Sequence, residues 1–384
     1  EAMEEAGKKP AQWVYDMLEA GFDSFYKIEN GVKKYYDIQS KAYKTIPGSE
    51  DRISLEILRP TSVLWKNEEA SIFDIGDGVL NIEFHSKMNV IGQGSLEAMN
   101  KAIDMAEADY KAVVISNEAD HFSAGANVGM IYMMAIEQEL DELNFAVQMF
   151  QKTIMRLRYS AIPVIAAPHG MTLGGGCELC MHSDKVIANA ETYMGLVEFG
   201  VGVIPGGGGT KEFALRLGDE LHEGDIRTNQ YLNRYLTIGQ AKVATSAYEA
   251  FDLGYLREGQ DEVIVSKDEQ LKYAKAAALH MVEKGYSQPA PRNNIKVLGK
   301  EVHGIYAVGA DSFTVGNYMS EHDKLIAEKL GYVMAGGDIS QALTEVSEKY
   351  LLDLERKAFI ELAMTRKTME RMKSLITTGK ILRN

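Results

Sequence analysis

Short, uninterrupted apolar runs set between helix-length segments constrain this chain more than any other feature. Lys111–Ser116 (KAVVIS) and Ile162–Ala167 (IPVIAA) have strand length without polar alternation, the pattern of strands covered on both faces. Ser95–Ala108 and Gln138–Leu157 read as helices, and GCELCMH (Gly176–His182) as a short helix before the apolar DKVIA (Asp184–Ala188). Such alternation predicts an α/β core with crossover connections. Ahead of it, Ser71–Ser86 places two β-rich runs around Gly76-Asp77-Gly78, the residue chemistry of a tight hairpin.

The flanks differ. Gln12–Lys27 carries Trp13, Met17, Leu18 and Phe22 at helical spacing, whereas Tyr35–Pro60 is polar and irregular, with TIPGSEDRIS (Thr45–Ser54) as a linker and a domain boundary near 66–70. Past Gly209 the pattern is mostly helical, with one short strand at Glu262–Ser266 and two amphipathic runs, Ser320–Val333 and Asp338–Ile376.

Composition excludes several functions. A net charge of -14 and the lack of a basic patch disfavour a nucleic-acid partner. No apolar stretch approaches the roughly 18 residues of a membrane span, so no membrane insertion is expected. The two cysteines, Cys177 and Cys180, stand one helical turn apart, which is no disulfide framework and implies a reducing cytoplasm. With no second pair or histidine cluster beside them, they predict packing rather than a metal site. The first residue is Glu1, with no leader pattern after it, and the expectation is a missing upstream segment. Gly92–Glu97 (GQGSLE) lacks the third glycine of a dinucleotide fingerprint, and Thr210 precedes Lys211, the wrong order for a phosphate loop.

Three segments carry candidate chemistry. Gly174-Gly175-Gly176-Cys177-Glu178 lies between a strand-like run and a helix, where free N–H groups and the helix dipole can receive charge developing on a carbonyl oxygen. The same pattern also fits a tight turn with Glu178 near the positive helix end. Ser123-Ala124-Gly125-Ala126-Asn127 exposes backbone donors in the same way, and two such loops would make a paired oxyanion site. Tyr193–Thr210 holds Glu198 among Leu196, Val197 and Phe199, a setting that disfavours its charged form and suits proton transfer; a surface glutamate on a strand edge is the alternative. Met88, Met130, Met133, Met134, Met171 and Met194 fit either a flexible acyl pocket or plain core.

Together, SAGAN, PVIAAPHGMTLGGGCE and GLVEFGVGVIPGGGGT resemble, in order and spacing, the crotonase superfamily and most closely its enoyl-CoA hydratases, over about residues 70–265. The resemblance implies an α/β crotonase-like spiral of ββα units with a helical C-terminal region. It implies oxyanion N–H groups at Ala126 and Gly175, catalytic carboxyls at Glu178 and Glu198, and substrate contacts at Met88, Ala124, Gly125, Asn127, Gly174 and Gly206. In such chemistry one carboxylate activates water, one group delivers a proton to the α-carbon, and each backbone donor to the enolate oxygen is worth about 3 kcal/mol. Glu178 is expected to orient the water and Glu198 to exchange the proton. Isomerisation without water, or acyl-CoA binding without turnover, are the rival activities.

Residues 1–66 resemble the end of a 3-hydroxyacyl-CoA dehydrogenase helical domain, so that the chain resembles the C-terminal half of a bacterial dehydrogenase/hydratase fusion of fatty-acid oxidation. The expected domains are 1–66, a hydratase core at 67–270 and a helical region at 271–384. An acyl-CoA substrate, no metal, NAD only with an upstream dehydrogenase domain, and self-association into a homo-oligomer follow from the resemblance. Asn127, Gly129 and Ile162 depart from the family pattern, leaving Lys87, Arg156 and Arg158 as candidates for CoA phosphates, each as readily a solvated surface residue. Asp219–Leu236 looks like an insertion.

Overall fold

The structure, a computed structural model, describes residues 2–29, 31–49, 52–222 and 224–384. The chain divides into two compact units, Glu1–Val63 and Leu64–Asn384.

In the first unit the helix Gln12–Glu19 buries Met17 and stops at Ala20 and Gly21, the glycine able to break the helical pattern of Gln12–Lys27. Strands β1 (Tyr26–Glu29), β2 (Val32–Asp37) and β3 (Ala42–Thr45) form an antiparallel meander. The stretch expected to be irregular from Tyr35 to Pro60 therefore contains strand and, at Leu55–Ser62, helix. Its strands are short and rich in Lys and Tyr, so they show no apolar alternation; packing among Phe22, Tyr36 and Tyr43, with ring centroids 5.0 to 6.2 Å apart, holds them instead. Glu50 and Asp51 of the expected linker lie outside the described residues.

The second unit is built on seven strands. These are β4 (Val63–Lys66), β5 (Ala70–Asp74), β6 (Val79–Phe84), β7 (Ala112–Ile115), β8 (Val164–Ala166), β10 (Lys185–Asn189) and β12 (Glu262–Ile264). They lie in the order β12-β10-β8-β7-β6-β5-β4. From β6 to β12 neighbours are parallel, and β5 pairs antiparallel with β6, Ala70 opposite Phe84, as the expected hairpin. The apolar runs read from the sequence are β7 and β8, buried throughout. Helix Gln93–Asp109 buries Ala98, Met99, Ala102, Ile103 and Ala106, and helix Gln270–Glu283 packs on β7, β8 and β10. The sheet is thus apolar on both faces because both are covered.

A smaller parallel pair, β9 (Gly170–Leu173) with β11 (Thr192–Gly195), follows β8 and carries the glycine-rich segment. Helix Leu140–Arg158 buries Leu143, Val147, Phe150, Ile154 and Leu157 along one face. The helices Lys300–Val315 and Glu321–Met334 share the core cluster of the seven-stranded sheet and its helices, with Tyr306 stacked on Tyr235 at 4.2 Å. The run Asp338–Ile376, expected as one amphipathic stretch, is broken. β14 (Thr344–Val346) pairs with β13 (Ile295–Val297), and the helices Glu348–Ala363 and Arg366–Thr378 follow. The break arises because Ser347 and Thr365 each cap a new helix by accepting from Tyr350 and Thr368 backbone N–H groups. The expected insertion holds the helix Arg227–Gly239, and its Glu223 lies outside the described residues. No helix among the described residues is long and apolar enough to cross a membrane.

A buried ionic cluster ties the C-terminal helices to the core. Lys211, fully buried, donates to Glu348 at 3.0 Å, Glu212 at 3.1 Å and His182 Nε2 at 2.8 Å. Arg158 also pairs with Glu212 and Glu348, and Arg216 with Glu212 at 2.9 Å. His182 donates from Nδ1 to the Glu178 carbonyl at 2.6 Å, and burial beside Lys211 keeps the ring neutral, so its Nε2 accepts from the lysine. Removing one carboxylate leaves buried cations uncompensated. Glu348→Ala is expected to destabilise the second unit by about 3 kcal/mol in chemical denaturation; an unchanged unfolding midpoint would contradict the structural role assigned to this cluster.

Candidate active site

Two loops approach at their backbones. The first, Ser123–Asn127, is pinned on both sides: Ser123 bridges to Thr172 of β9, and Ala124 N–H donates to the Met88 carbonyl at 3.1 Å. Met88 and Asn89 both hold left-handed φ angles, 59° and 50°, uncommon for side-chain-bearing residues and a sign of backbone held by its surroundings. The second loop is the junction of β9 with helix Gly175–His182. A methyl group on Gly125 would lie 2.8 Å from the Leu173 carbonyl oxygen and 3.2 Å from Gly175 N. One on Gly175 would lie 3.3 Å from Ala126 N. Only glycine permits this approach.

It brings the N–H groups of Ala126 and Gly175 side by side. Neither donates to a protein acceptor among the described residues. Gly175 is the first residue of its helix, where N–H groups are free and the dipole is positive. Such a pair can hold one oxygen that gains negative charge.

Two carboxyl groups flank the pair, in contrasting surroundings. Glu178, one turn into the same helix and almost wholly buried, accepts from Gly207 N–H and Gly209 N–H, both at 2.8 Å, on Oε1. Burial pushes its carboxyl up to about 7, while those two donors and Lys211 favour the ionised form. Glu198 opens the short helix Glu198–Val201, in place of the strand edge considered from the sequence. Its Oε1 stands where a methyl on Gly174 would meet it at 2.9 Å, and its Oε2 is enclosed without a hydrogen-bond partner. Burial, then the nearby charge of Glu178, hold the Glu198 carboxyl well above the usual range. One carboxyl is built to ionise near neutral pH and the other to keep its proton.

The structure thus gathers Ala126, Gly175, Glu178, Glu198, Gly125 and Gly174. Ala124 holds the first loop through its backbone, and Met88, 46% exposed, supplies the carbonyl that receives it. Asn127 uses its side chain to cap helix Val128–Ile136, accepting from Met130 N–H at 3.1 Å. Gly206 faces elsewhere: a methyl there would meet the Phe359 ring at 2.8 Å, and its carbonyl accepts from Gln151. Arg158 is locked into the buried ionic cluster rather than solvated, and Arg156 pairs with Glu107. Cys177 and Cys180 are fully buried and unpaired, their thiols held well up by burial. Two residues not picked out from the sequence stand at the site. Phe150 presses its ring between Gly175 and Gly207. Glu355 accepts from Gly208 N–H at 2.6 Å and Lys211 N–H at 2.9 Å.

Residues 74–228 match the model of the enoyl-CoA hydratase/isomerase family, a span that contains both loops and both flanking glutamates. The "Probable 3-hydroxyacyl-CoA dehydrogenase" of Bacillus subtilis (strain 168) is 40% identical over all of this chain and 48% of its own length. The chain spans about half the length of the first curated relatives it matches. The "Probable enoyl-CoA hydratase" of the same organism is 31% identical over 199 residues, 51% of this chain and 69% of that protein. Among solved structures, an enoyl-CoA hydratase from Bacillus halodurans superposes with a TM-score of 0.54 at 17% identity, covering 80% of this chain and 100% of that one. That likeness speaks to the fold, which is the α/β crotonase-like fold expected from the sequence. With a 31% identical relative covered over more than two thirds of its length and the family model spanning the site, the chain belongs to the enoyl-CoA hydratase/isomerase family.

Proposed function

We propose that this chain is an enoyl-CoA hydratase, adding water reversibly to trans-2-enoyl-CoA to give 3-hydroxyacyl-CoA in fatty-acid oxidation. The observation that carries the reading is the pair of enclosed carboxyl groups, one held by two backbone N–H groups and the other without a hydrogen-bond partner on Oε2, beside two free N–H groups. Addition of water needs a base for the water and an acid for the α-carbon, whereas moving a double bond needs one group that takes and returns a proton. In this reading the thioester oxygen sits on Ala126 and Gly175 N–H, Glu178 activates the water and Glu198 delivers the proton. Met88, Ala124, Gly125, Asn127 and Gly174 border the substrate, mainly through backbone.

The chain is read further as the C-terminal half of a dehydrogenase/hydratase protein. Similarity along its whole length to one half of a relative named for dehydrogenase activity supports this. NAD would then serve the other half. Residues 1–66 are assigned to the dehydrogenase portion, 67–270 to the hydratase core and 271–384 to a helical region continuous with it. A reducing, cytoplasmic setting suits two buried unpaired thiols, and self-association belongs to the same reading.

The test is loss of enoyl-thioester absorbance from crotonyl-CoA. Wild type is expected to turn over, and Glu178→Gln and Glu198→Gln each to lose roughly 100-fold or more in kcat while still binding acyl-CoA. Double-bond migration without a 3-hydroxyacyl product would replace hydratase by isomerase, and binding without any product would leave a binding module. Gly175→Pro removes one donor at the first helical position, where proline is tolerated. It is expected to cost roughly 100-fold or more in kcat. Gly175→Ala, which keeps the N–H while crowding the Phe150 ring at 2.8 Å and Ala126 N at 3.3 Å, is expected to cost less than the proline variant; a larger loss for alanine than for proline would refute the donor role. The pH profile of kcat/KM is expected to rise through about pH 7 as Glu178 ionises and to fall at alkaline pH as Glu198 loses its proton. A rise centred below pH 5 would contradict Glu178 as the base.

A further inference from the structure

The turn between Gly206 and Lys211 has its N–H groups claimed in alternation by two glutamates from distant parts of the chain. Gly207 and Gly209 donate to Glu178 Oε1, while Gly208 and Lys211 donate to the two oxygens of Glu355, at 2.6 and 2.9 Å. Glu355 belongs to the helix Glu348–Ala363, beyond the segment matched by the family model, and is fully buried. Among the described residues no arginine pairs with it. Arg356, beside it in sequence, donates instead to Gln151, Asn144 and Asp353. The amine of Lys211 is spent on Glu348, Glu212 and His182. A buried carboxyl with neither lysine nor arginine paired to it is costly to keep in a fold and calls for a role.

We propose that Glu355 is a positioning residue for Glu178, clamping the glycine turn so that its other N–H groups hold the Glu178 carboxylate in place. This rests on the hydratase reading above. The clamp works by geometry: a flexible four-glycine turn has no side chains to fix it, and Glu355 supplies two anchors that set the direction of the N–H groups between them. The groups that face Glu355 are Glu178 from helix Gly175–His182, Glu198 from the short helix Glu198–Val201, Lys211 from helix Gly209–Glu220, and neutral Gln151 from helix Leu140–Arg158. Burial and then Glu178's charge push the Glu355 carboxyl up to about 8, above that of Glu178, so Glu355 keeps its proton while Glu178 ionises and acts on it through the turn.

The experiment is a double-mutant cycle on crotonyl-CoA hydration with a full pH profile. Glu355→Gln is expected to lower kcat about 10-fold or more with KM little changed, and to move the acid limb of the profile to higher pH, because the Gly207 and Gly209 N–H groups that favour ionised Glu178 lose their aim. In the Glu178→Gln background the same change is expected to cost less than about 2-fold, because the residue it positions is already disabled. An equal loss in both backgrounds, or an acid limb that does not move to higher pH, overturns the proposal. If Glu355→Gln fails to fold, Glu355→Asp carries the test: it keeps the carboxyl but shortens the reach, so kcat is expected to fall and the acid limb to rise, again only where Glu178 is present. If wild type shows no hydration, infrared titration of the buried carboxyls in ligand-free protein separates the two readings. A Glu178 midpoint raised in Glu355→Gln supports the clamp without turnover, and an unchanged or lowered midpoint sinks it.

Discussion

Two stretches of backbone meet at Gly125 and Gly174–Gly175 more closely than side chains would allow, and the rest of the second unit is arranged around that contact. A single methyl on Gly125 would sit 2.8 Å from the Leu173 carbonyl oxygen. The contact leaves the Ala126 and Gly175 N–H groups adjacent and unspent. Polar groups left unpaired in a largely enclosed place are costly, and such sites persist where they meet a ligand. Holding them requires rigid support, supplied by the β9–β11 pair beneath the second loop and by the left-handed Met88–Asn89 segment beside the first.

Around this contact the structure tolerates an unusual amount of buried charge, in two separate styles. Lys211, Arg158, Arg216, Glu212 and Glu348 compensate one another and join the C-terminal helices to the core. Glu178, Glu198 and Glu355 do not: their neighbours are mainly backbone N–H groups and one another, and burial raises all three carboxyls. The first style suits holding elements together. The second suits proton transfer near neutral pH, where an uncompensated carboxyl can sit in either state. His182 joins them, receiving Lys211 on one ring nitrogen and fixing the carbonyl of Glu178 with the other.

Much of this was legible because it is local. A strand, a run of glycines and the start of a helix lie within a few residues of one another, so Gly174–Glu178 announced a helix N-terminus before any coordinates, and β7 and β8 were plain from unbroken apolar runs. Features that depend on tertiary packing were not. β2 and β3 are held by edge-on and tilted ring contacts and carry Lys33, Lys34 and Lys44 without apolar alternation, so their stretch read as irregular. The helices Glu348–Ala363 and Arg366–Thr378 merged into one run because their boundary rests on a single capping threonine, Thr365. Glu355 left a faint signal, a glutamate set in the apolar stripe of Leu351, Leu352, Ala358, Phe359 and Leu362. A polar residue in a buried stripe asks for a partner, and that partner stands 144 to 147 positions away in the sequence. Gly206 was misread in the opposite sense: it lies in the right turn but faces Phe359.

The central claim is that this site adds water across a conjugated double bond, with one carboxyl handling the water and the other the α-carbon. The most direct measurement is isotope uptake from solvent into crotonyl-CoA, incubated with the protein in deuterated water enriched in heavy oxygen and followed by mass spectrometry and NMR. The account expects one heavy oxygen at C3 and one deuteron on a single face of C2 in the same product molecule. Deuterium incorporation with no labelled oxygen would contradict it, because protons would then be moving at a site that does not add water.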